Sequence, residues 1–487
     1  MSAQLLHGRT PRILVVGGGP VGLSMGFLLD KVFNVPTRII ERQTQPTSHP
    51  QAHFLNLRTM EVLQATMPGF HDCLQAQAAP SEMWRDYIYC TGVGKTREFA
   101  RIDQFGPCIP RSGSPAAALQ AISSTQFLHF PQNRFESMLS DFLQESELHV
   151  ERGVELLDLK VDPLGPTKVS LRHTVSQQIE EASFDFVVGA DGAHSLVRQL
   201  CGVDMAGALN LQSIVNVHFT SKALSEAARE NPAMLYFVFN KDVIGVLIAH
   251  DLSRSEWVFQ IPFFPPQESV EWDFSTRQCL EIIQQILPQD VAKRVQLADD
   301  ARILSVGQWR MSARVAKQYD AHRKVFLVGD AAHQFPPAGG LGMNTGVQDA
   351  HNLAWKLALA IQQPEDRVVD ASTLLRSYER ERQQIAKLNT QLSLRNVERT
   401  MKVPNALNVS HNNAKLLATI VNSAPLKLLP LQLQRDFVQN IMKVGKAPLG
   451  FLDTASNAIG GFMRAQVQKI VERRASLGMT GARERKS

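Results

Sequence analysis

Three short apolar runs, Arg12 to Val16, Phe184 to Val188 and Val325 to Val328, each have the length and composition of a buried strand. Leu23 to Val35 follows the first run with helical periodicity, and Thr37 to Ile40 then reads as a second strand. After the third run the chain turns helical from Thr345. Val347, Ala350, Ala354, Leu357 and Ile361 recur at three- and four-residue steps and give that helix one apolar face. Elsewhere the period changes to two. Met83 to Ile102 alternates apolar and polar positions around a hairpin turn predicted at Gly92-Val93-Gly94-Lys95. Ser213 to Phe264 is also strand-rich, with strands predicted over Ala233 to Asn240, Val243 to Ala249 and Trp257 to Phe264. Helix returns over Glu281 to Ala301 and, as a long polar element, over Leu374 to Asn396. Beyond Pro404 the pattern predicts separate helices broken by Pro425, Pro430 and Pro448.

Composition narrows this picture only at its edges. With 487 residues and 44% hydrophobic content the chain can bury a large core in two or three domains. The formal charge of +5 comes from basic residues scattered along the chain until the basic tail Thr480 to Ser487, so it suits anionic cofactors and gives no signal for nucleic acid. Cys73, Cys90, Cys108, Cys201 and Cys279 form no CxxC pair, which predicts reduced thiols and no zinc site. That points to a cytoplasmic protein. The alternative is a mitochondrial one, since Met1 to Pro11 holds Arg9 and no acid. No apolar run approaches the roughly 18 residues that span a bilayer.

The glycines carry the chemistry. Gly17-Gly18-Gly19-Pro20-Val21-Gly22 fits G-x-G-x-x-G between the first strand and the first helix, and the second strand ends on Glu41, about 20 residues further on, where an acid accepts from ribose hydroxyls. Those glycines allow a tight turn and close approach to a pyrophosphate. Gly329-Asp330 likewise puts a carboxylate at the end of a strand, within reach of a ribitol or ribose hydroxyl. Gly339-Gly340-Leu341-Gly342-Met343-Asn344 then runs into a helix N-terminus, whose unpaired N–H groups and partial positive charge favour an anion such as a reduced isoalloxazine. The third strand runs into Asp191-Gly192 and a helix start. Gly94-Lys95-Thr96 is not a P-loop, because Tyr89 holds the required upstream glycine position.

Together, in this order, the three segments resemble the single-component flavoprotein monooxygenases of the para-hydroxybenzoate hydroxylase type, including phenol hydroxylases, ubiquinone-biosynthesis hydroxylases and tetracycline-inactivating enzymes. The resemblance spans residue 11 to about residue 400. It implies an α/β fold: an FAD-binding Rossmann-like domain of the GR2 type over residues 11–400, an antiparallel substrate-side sheet from about 80–118 and 203–298, and a C-terminal helical region over 401–487. It assigns Gly17, Gly19, Pro20, Gly22 and Glu41 to the ADP site, and Asp191 and Gly192 to contacts with the FAD pyrophosphate and the nicotinamide cofactor. Gly329 and Asp330 become the ribityl contact, and Gly339, Gly340, Leu341, Gly342, Met343 and Asn344 the loop along the flavin ring. Gln132, in His129-Phe130-Pro131-Gln132-Asn133-Arg134-Phe135-Glu136, resembles the residue by which that family's helix start reaches the flavin. Gln51 stands where the family has an arginine that contacts FAD; it keeps a donor and loses the charge, so the expectation is weaker FAD affinity or compensation by Arg42.

The resemblance further implies that NAD(P)H reduces FAD and that a flavin hydroperoxide, formed with O2, hydroxylates an aromatic phenol or quinone precursor. With a single dinucleotide fingerprint in the chain, NAD(P)H must bind transiently. The carbonyls of Pro336 and Pro337 can accept from a phenolic hydroxyl, or the two prolines simply fix the loop. His218 is the candidate base on a strand facing the substrate, the plainer reading being a packed histidine. Tyr236, Phe239, His250 and Trp257 read mainly as sheet packing, with pocket lining as the alternative. Two other functions fit some of these residues. One is an FAD-holding protein without oxygenase activity. The other is a flavin-dependent halogenase, resembled by Trp257-Val258-Phe259-Gln260-Ile261-Pro262, although Phe259 replaces that family's second tryptophan and no matching lysine segment is found. Residues 405 to 480 interleave apolar residues (Leu416, Leu417, Ile420, Val421, Phe451, Ile459, Phe462, Met463) with basic ones (Lys415, Lys427, Arg464, Lys469). The expectation is helices packed on the FAD domain, the alternative a contact with a membrane surface or a second copy of the chain.

Overall fold

Ile13–Val16 is a strand of four buried residues at the centre of a six-stranded sheet, and everything in its unit is arranged around it. The structure, a computed structural model, describes residues 10–94, 97–105, 122–263, 269–362, 370–407, 430, 433, 440, 443–453 and 458–476. The chain divides into two compact units. One is drawn from Met1–Ala78, Ser123–Leu209 and Ser312–Leu394, the other from Ala79–Ile122, Asn210–Met311 and Arg395–Ser487.

In the first unit the sheet order is Asp320–Ala321, Val325–Leu327, Phe186–Gly189, Ile13–Val16, Thr37–Glu41, Val150–Arg152. All pairs are parallel except the edge pair of Asp320–Ala321 with Val325–Leu327. A parallel sheet has both faces covered, which is why its strands are continuous apolar runs. Ile13, Leu14, Val15, Ile39, Ile40, Val187, Val188 and Phe326 are wholly buried in one core. The predicted first helix is split: an α-helix covers Pro20–Phe27, where Pro20 pre-sets the first turn, and Leu28–Val32 continues as a π-helical turn. The helix after the glycines begins at Gly342 rather than Thr345 and runs to Gln362. Three further strands, Val154–Lys160, Thr167–His173 and Ile179–Phe184, form an antiparallel meander of their own.

The second unit is built on a sheet that passes from Ala301–Ala316 through Met205–Ser221, Glu256–Phe263, Ile244–Asp251, Leu235–Phe239 and Asp86–Cys90 to Glu98–Asp103. From Met205–Ser221 onward its pairs are antiparallel, save that of Leu235–Phe239 with Asp86–Cys90. The period-two pattern sorts its residues onto two faces. Val215, Val217, Phe219, Tyr236, Trp257 and Phe259 enter a core shared with Cys279, Ile283 and Ile286 of the helix Thr276–Ile286. That helix starts before the predicted Glu281 and breaks at Leu287-Pro288, so Gln289–Arg294 and Leu297–Asp300 are separate short helices. The hairpin predicted near residue 93 joins Asp86–Cys90 to Glu98–Asp103, with Lys95 and Thr96 outside the described residues. The long polar helix is Ala371–Ala406, longer at both ends than the predicted Leu374 to Asn396, and runs through Pro404. The ring sits in the last turn, where the helix is ending in any case. Ala458–Ser476 is helical and packs on Glu98–Asp103, burying Met463, Val467 and Val471 while Ile459 and Phe462 stay exposed. Most of 408–442, including Leu416 to Val421, and the tail from 477 lie outside the described residues. Among the described residues no helix is long and apolar enough to cross a membrane, and no cluster of His, Cys, Asp and Glu is placed to hold a metal.

Candidate functional site

The turn after Ile13–Val16 is shaped by glycines for two different reasons. Gly17 has φ +117°, and a Cβ there would meet the Ala190 carbonyl oxygen at 2.3 Å. At Gly22 a Cβ would fall 1.9 Å from the Gly17 carbonyl oxygen, so no side chain fits while the first helix packs on its own turn. Gly19 differs, since a Cβ would meet nothing within 4 Å. The chain's own packing does not demand that glycine, and the open side is where a ligand can approach the backbone. Gly19 also caps the helix and, having no side chain, supplies no acceptor, leaving N–H groups at the helix start for a phosphate.

Glu41 ends the neighbouring strand and accepts from the N–H groups of Gly18 (2.7 Å) and Gln43 (2.8 Å), which fixes its carboxylate beside the glycine turn. Arg42 is exposed and makes no recorded ion pair among the described residues. Close by, Gln132 bridges two elements: its Oε1 accepts from the Ala52 N–H and its Nε2 donates to Glu136. Burial pushes the Glu136 carboxyl up to about 7, with the charge of Glu41 adding to the shift and the Gln132 hydrogen bond opposing it. Gln51 is exposed.

The third strand delivers Asp191, whose Oδ2 accepts from the Val197 N–H at 3.0 Å while its buried Oδ1 has no hydrogen-bond partner among the described residues. Burial raises its carboxyl above the usual range. Gly192 follows at φ +77°, again with open space where a Cβ would stand. The remaining piece is Gly329–Ala331, a turn that puts Gly329 at φ +59°. Val21 of the first helix packs between Gly329 and Gly346; a Cβ on either glycine would lie 3.1 Å or 2.5 Å from it. All the segments thus converge on the first turn of the first helix. Asp330 faces solvent with no partner among the described residues, yet the protein surrounding it raises its carboxyl above the usual range. The two facts agree if the group stands on the wall of a concavity.

The glycine loop closes the arrangement. Pro336 is buried, Pro337 is exposed and its carbonyl accepts from the Gly340 N–H at 3.1 Å, and Gly339 and Gly340 both have positive φ. Leu341 and Gly342 are half-buried, Met343 is buried, and a Cβ on Gly342 would meet nothing. Asn344 is wholly buried and serves the protein itself, donating to the Phe54 and Gly340 carbonyls and accepting from the Asn56 N–H. Beside Phe54, His53 and His129 bring their Nδ1 atoms to 3.3 Å; burial, then the neighbouring ring, pushes His53 down to about 3, so the His53 ring is neutral.

A second network was not anticipated from the sequence. Asp349, on the glycine-loop helix, receives His333 Nε2 at 2.6 Å, Arg382 Nε at 2.7 Å and the Gly329 N–H at 3.2 Å. The visible signal is a charge placed between Val347 and Ala350 on an apolar face, which demands a buried partner.

In the second unit His218 is buried, with Nε2 2.8 Å from Glu256 and Nδ1 3.5 Å from the Ser305 hydroxyl. It lies on the sheet face opposite the core, with Asn216, which accepts from Trp309 Nε1 at 3.0 Å. The same face carries Tyr89 stacked on Phe237, centroids 4.8 Å apart, with Phe239 alongside. Tyr236 and Trp257 instead face the core, bonded to the Asn231 carbonyl and the Ser225 hydroxyl.

These features fit FAD on the structure's own terms. Open space lies over Gly19, Gly192 and Gly342, the Asp330 carboxyl stands at a strand end with no partner among the described residues, and two helix N-termini follow glycines. Comparison with known proteins agrees. Residues 10–393 match the model of the FAD binding domain family. A putative polyketide hydroxylase from Streptomyces halstedii is 31% identical over 379 residues, 78% of this chain and 63% of that protein. A 2,4-dichlorophenol 6-monooxygenase from Delftia acidovorans is 28% identical over 385 residues, 77% of this chain and 61% of that protein. The chain thus spans about three fifths of the length of these relatives. Among solved structures, the flavin-dependent monooxygenase PieE in complex with FAD and substrate superposes with a TM-score of 0.70 at 24% identity, covering 93% of this chain and 74% of that one. That likeness concerns the fold.

Proposed function

Because the chain belongs to the FAD-binding-domain family, we propose that it is a single-component monooxygenase that uses NAD(P)H and O2 to hydroxylate a phenolic or polycyclic aromatic compound. One observation carries the reading: three strand-end turns meet at the first turn of the first helix, with open space at Gly19 and Gly192, and again at Gly342 where the glycine loop enters its helix. Its relatives support the substrate class, being named for polyketides and a chlorophenol. FAD, when bound, supplies hydride acceptance and activation of O2.

In this reading Gly17, Gly19, Pro20 and Gly22 form the pyrophosphate turn, and Glu41 holds the adenosine ribose while it braces Gly18. Arg42, free on the surface, is the candidate to supply the positive charge that Gln51 lacks. Asp330 accepts from ribityl hydroxyls. Asp191, with one oxygen still unpaired, and Gly192 serve the pyrophosphate and the passing nicotinamide cofactor. Gln132 acts indirectly, holding Ala52 and Glu136. The loop Gly339 to Met343 lines the ring, and the N–H groups at the start of Gly342–Gln362 favour negative charge there. Asn344 braces that loop.

His218 is the proposed base. Glu256 orients the ring at Nε2, Nδ1 faces the Ser305 hydroxyl, and the face that carries them has stacked aromatic rings that suit a flat substrate. Of the two proline carbonyls, that of Pro336 is proposed to receive a substrate hydroxyl, because Pro337 already accepts from Gly340. Exposed Ile459 and Phe462 mark where the C-terminal helices would meet a membrane surface or a second copy; vesicle flotation and sedimentation of the full chain distinguish the two.

The deciding experiment reconstitutes the full chain with FAD and follows NAD(P)H oxidation and O2 uptake across phenols, quinone precursors and polycyclic aromatics. Aromatic-stimulated oxidation with hydroxylated product is expected. Tight FAD binding without it would leave a protein that holds FAD for another purpose, and failure to take up FAD would end the reading altogether.

A further inference from the structure

Asp349 collects donors from three separate elements while itself belonging to a fourth. It lies on the helix Gly342–Gln362; the Gly329 N–H comes from the turn Gly329–Ala331, His333 from the strand His333–Gln334 and Arg382 from the helix Ala371–Ala406. Asp349 and His333 are wholly buried and Arg382 nearly so. Burial alone would raise the Asp349 carboxyl, but His333 and Arg382 outweigh it and hold it below the usual range, so it is ionised. Arg382 also donates to the Thr345 carbonyl in the first turns of the same helix. Among the described residues His333 Nδ1 is buried with no hydrogen-bond partner. Its ring stacks on Phe335, 4.6 Å away and 8° from parallel, directly before the Pro336-Pro337 turn.

A buried ion pair is poor at stabilising a fold compared with apolar packing, since desolvation offsets most of the attraction. What three directional donors do well is fix position. Here they lock the turn that carries Asp330 to the helix whose N-terminus follows the glycine loop. Those two parts are the negative and positive poles of the proposed cofactor site. We infer that Asp349, acting through His333 and Arg382, is the positioning residue that sets the spacing of these poles, and with it the affinity and midpoint potential of FAD. The inference rests on the FAD reading above.

The test uses the full chain and measures the FAD dissociation constant, the flavin midpoint potential and the melting temperature of the FAD-free protein. Asp349→Asn loses a charge-assisted hydrogen-bond set, so FAD should bind roughly tenfold weaker or worse. Its potential should rise, because Arg382 is left without its counter-charge. Combined with Asp330→Asn, the losses should fall short of additive, since both act on one turn. A Leu171→Ala variant, on the meander strand Thr167–His173 and buried in the core of the first unit, should lose melting temperature while keeping FAD affinity. Should Asp349→Asn fail to fold, His333→Gln, which can still donate, should keep FAD where His333→Leu loses it. Wild-type affinity and potential in Asp349→Asn, strict additivity with Asp330→Asn, or equal loss in the two His333 variants would each overturn the inference. Absence of FAD binding by the unaltered chain would instead overturn the reading beneath it.

Discussion

The nucleotide-binding unit and the sheet unit are specified in opposite ways. Around the first helix the decisive property is missing atoms: Gly17, Gly22 and Gly346 are sites where a Cβ would strike neighbouring atoms. In the sheet unit the decisive property is atoms present, with Trp257, Tyr236, Phe259 and Phe219 filling one face and Tyr89, Phe237 and Phe239 stacking on the other. The first should therefore fail when something is added, the second when something is removed. Backbone geometry tolerates little variation, whereas an aromatic surface can change its occupant by exchanging rings.

The severest challenge to this contrast is Gly22→Val. With backbone oxygen at 1.9 Å from the added carbon, the helix must leave its turn, at a cost of about 4 kcal/mol or more. Urea denaturation should find little folded protein and no FAD binding; a stable variant would break the comparison. Trp257→Ala comes next, with about 3 to 5 kcal/mol lost from the cavity it leaves. The folded fraction should keep normal FAD affinity, and a parallel loss of FAD would mean that the two units do not divide the work as described.

A third test turns on Glu136. Its folded carboxyl titrates near 7, above the ordinary value of 4.5, so the native state holds its proton more tightly than the unfolded chain does. The resulting stability is fully present below 4.5 and is lost as pH rises through 7, an effect of at most about 3 kcal/mol. Subtracting the stability–pH curve of Glu136→Gln from that of the parent should reveal this slope. A flat difference would mean that the acid is not buried beside Glu41 as described. The smallest effect on the fold is expected from Gly19→Ala, which fills open space and changes stability by under about 1 kcal/mol. FAD titration should nonetheless register a loss, because the backbone can no longer be approached as closely. Unchanged FAD affinity would remove Gly19 from the cradle.

Legibility followed the same division. The strand, glycine turn, helix and acid from Ile13 to Glu41 could be read in the sequence because each depends on near neighbours, and so could the strand ends at Gly189 and Gly329. What escaped depended on distant partners. Asp349 meets Arg382 and His333 only after the chain has folded, Asn344 turns inward to Phe54 and Asn56, and Glu256 reaches His218 from the adjacent strand. Element ends moved by a few residues wherever side chains rather than caps set them, as at Gly342 and Thr276. The π-turn at Leu28–Val32, Leu-Leu-Asp-Lys-Val, has no local signature. Glu136, next to Phe135 in a helix that buries Leu139 and Leu143, was a readable sign of a buried acid that the motif beside it obscured.

The order of strands in the first unit also constrains how the protein is made. Ile13–Val16 lies between Thr37–Glu41, which leaves the ribosome almost at once, and Phe186–Gly189, which does not; Val325–Leu327 follows later still. At about 5 to 20 residues per second, the first strand must wait on the order of ten seconds or more with one edge unsatisfied. Nascent chains stopped before residue 342 would lack the helix that completes the cradle. Flavin capture must then wait until the chain has grown past residue 342, and in cells short of the cofactor the strands of this unit would assemble around an unfilled cradle.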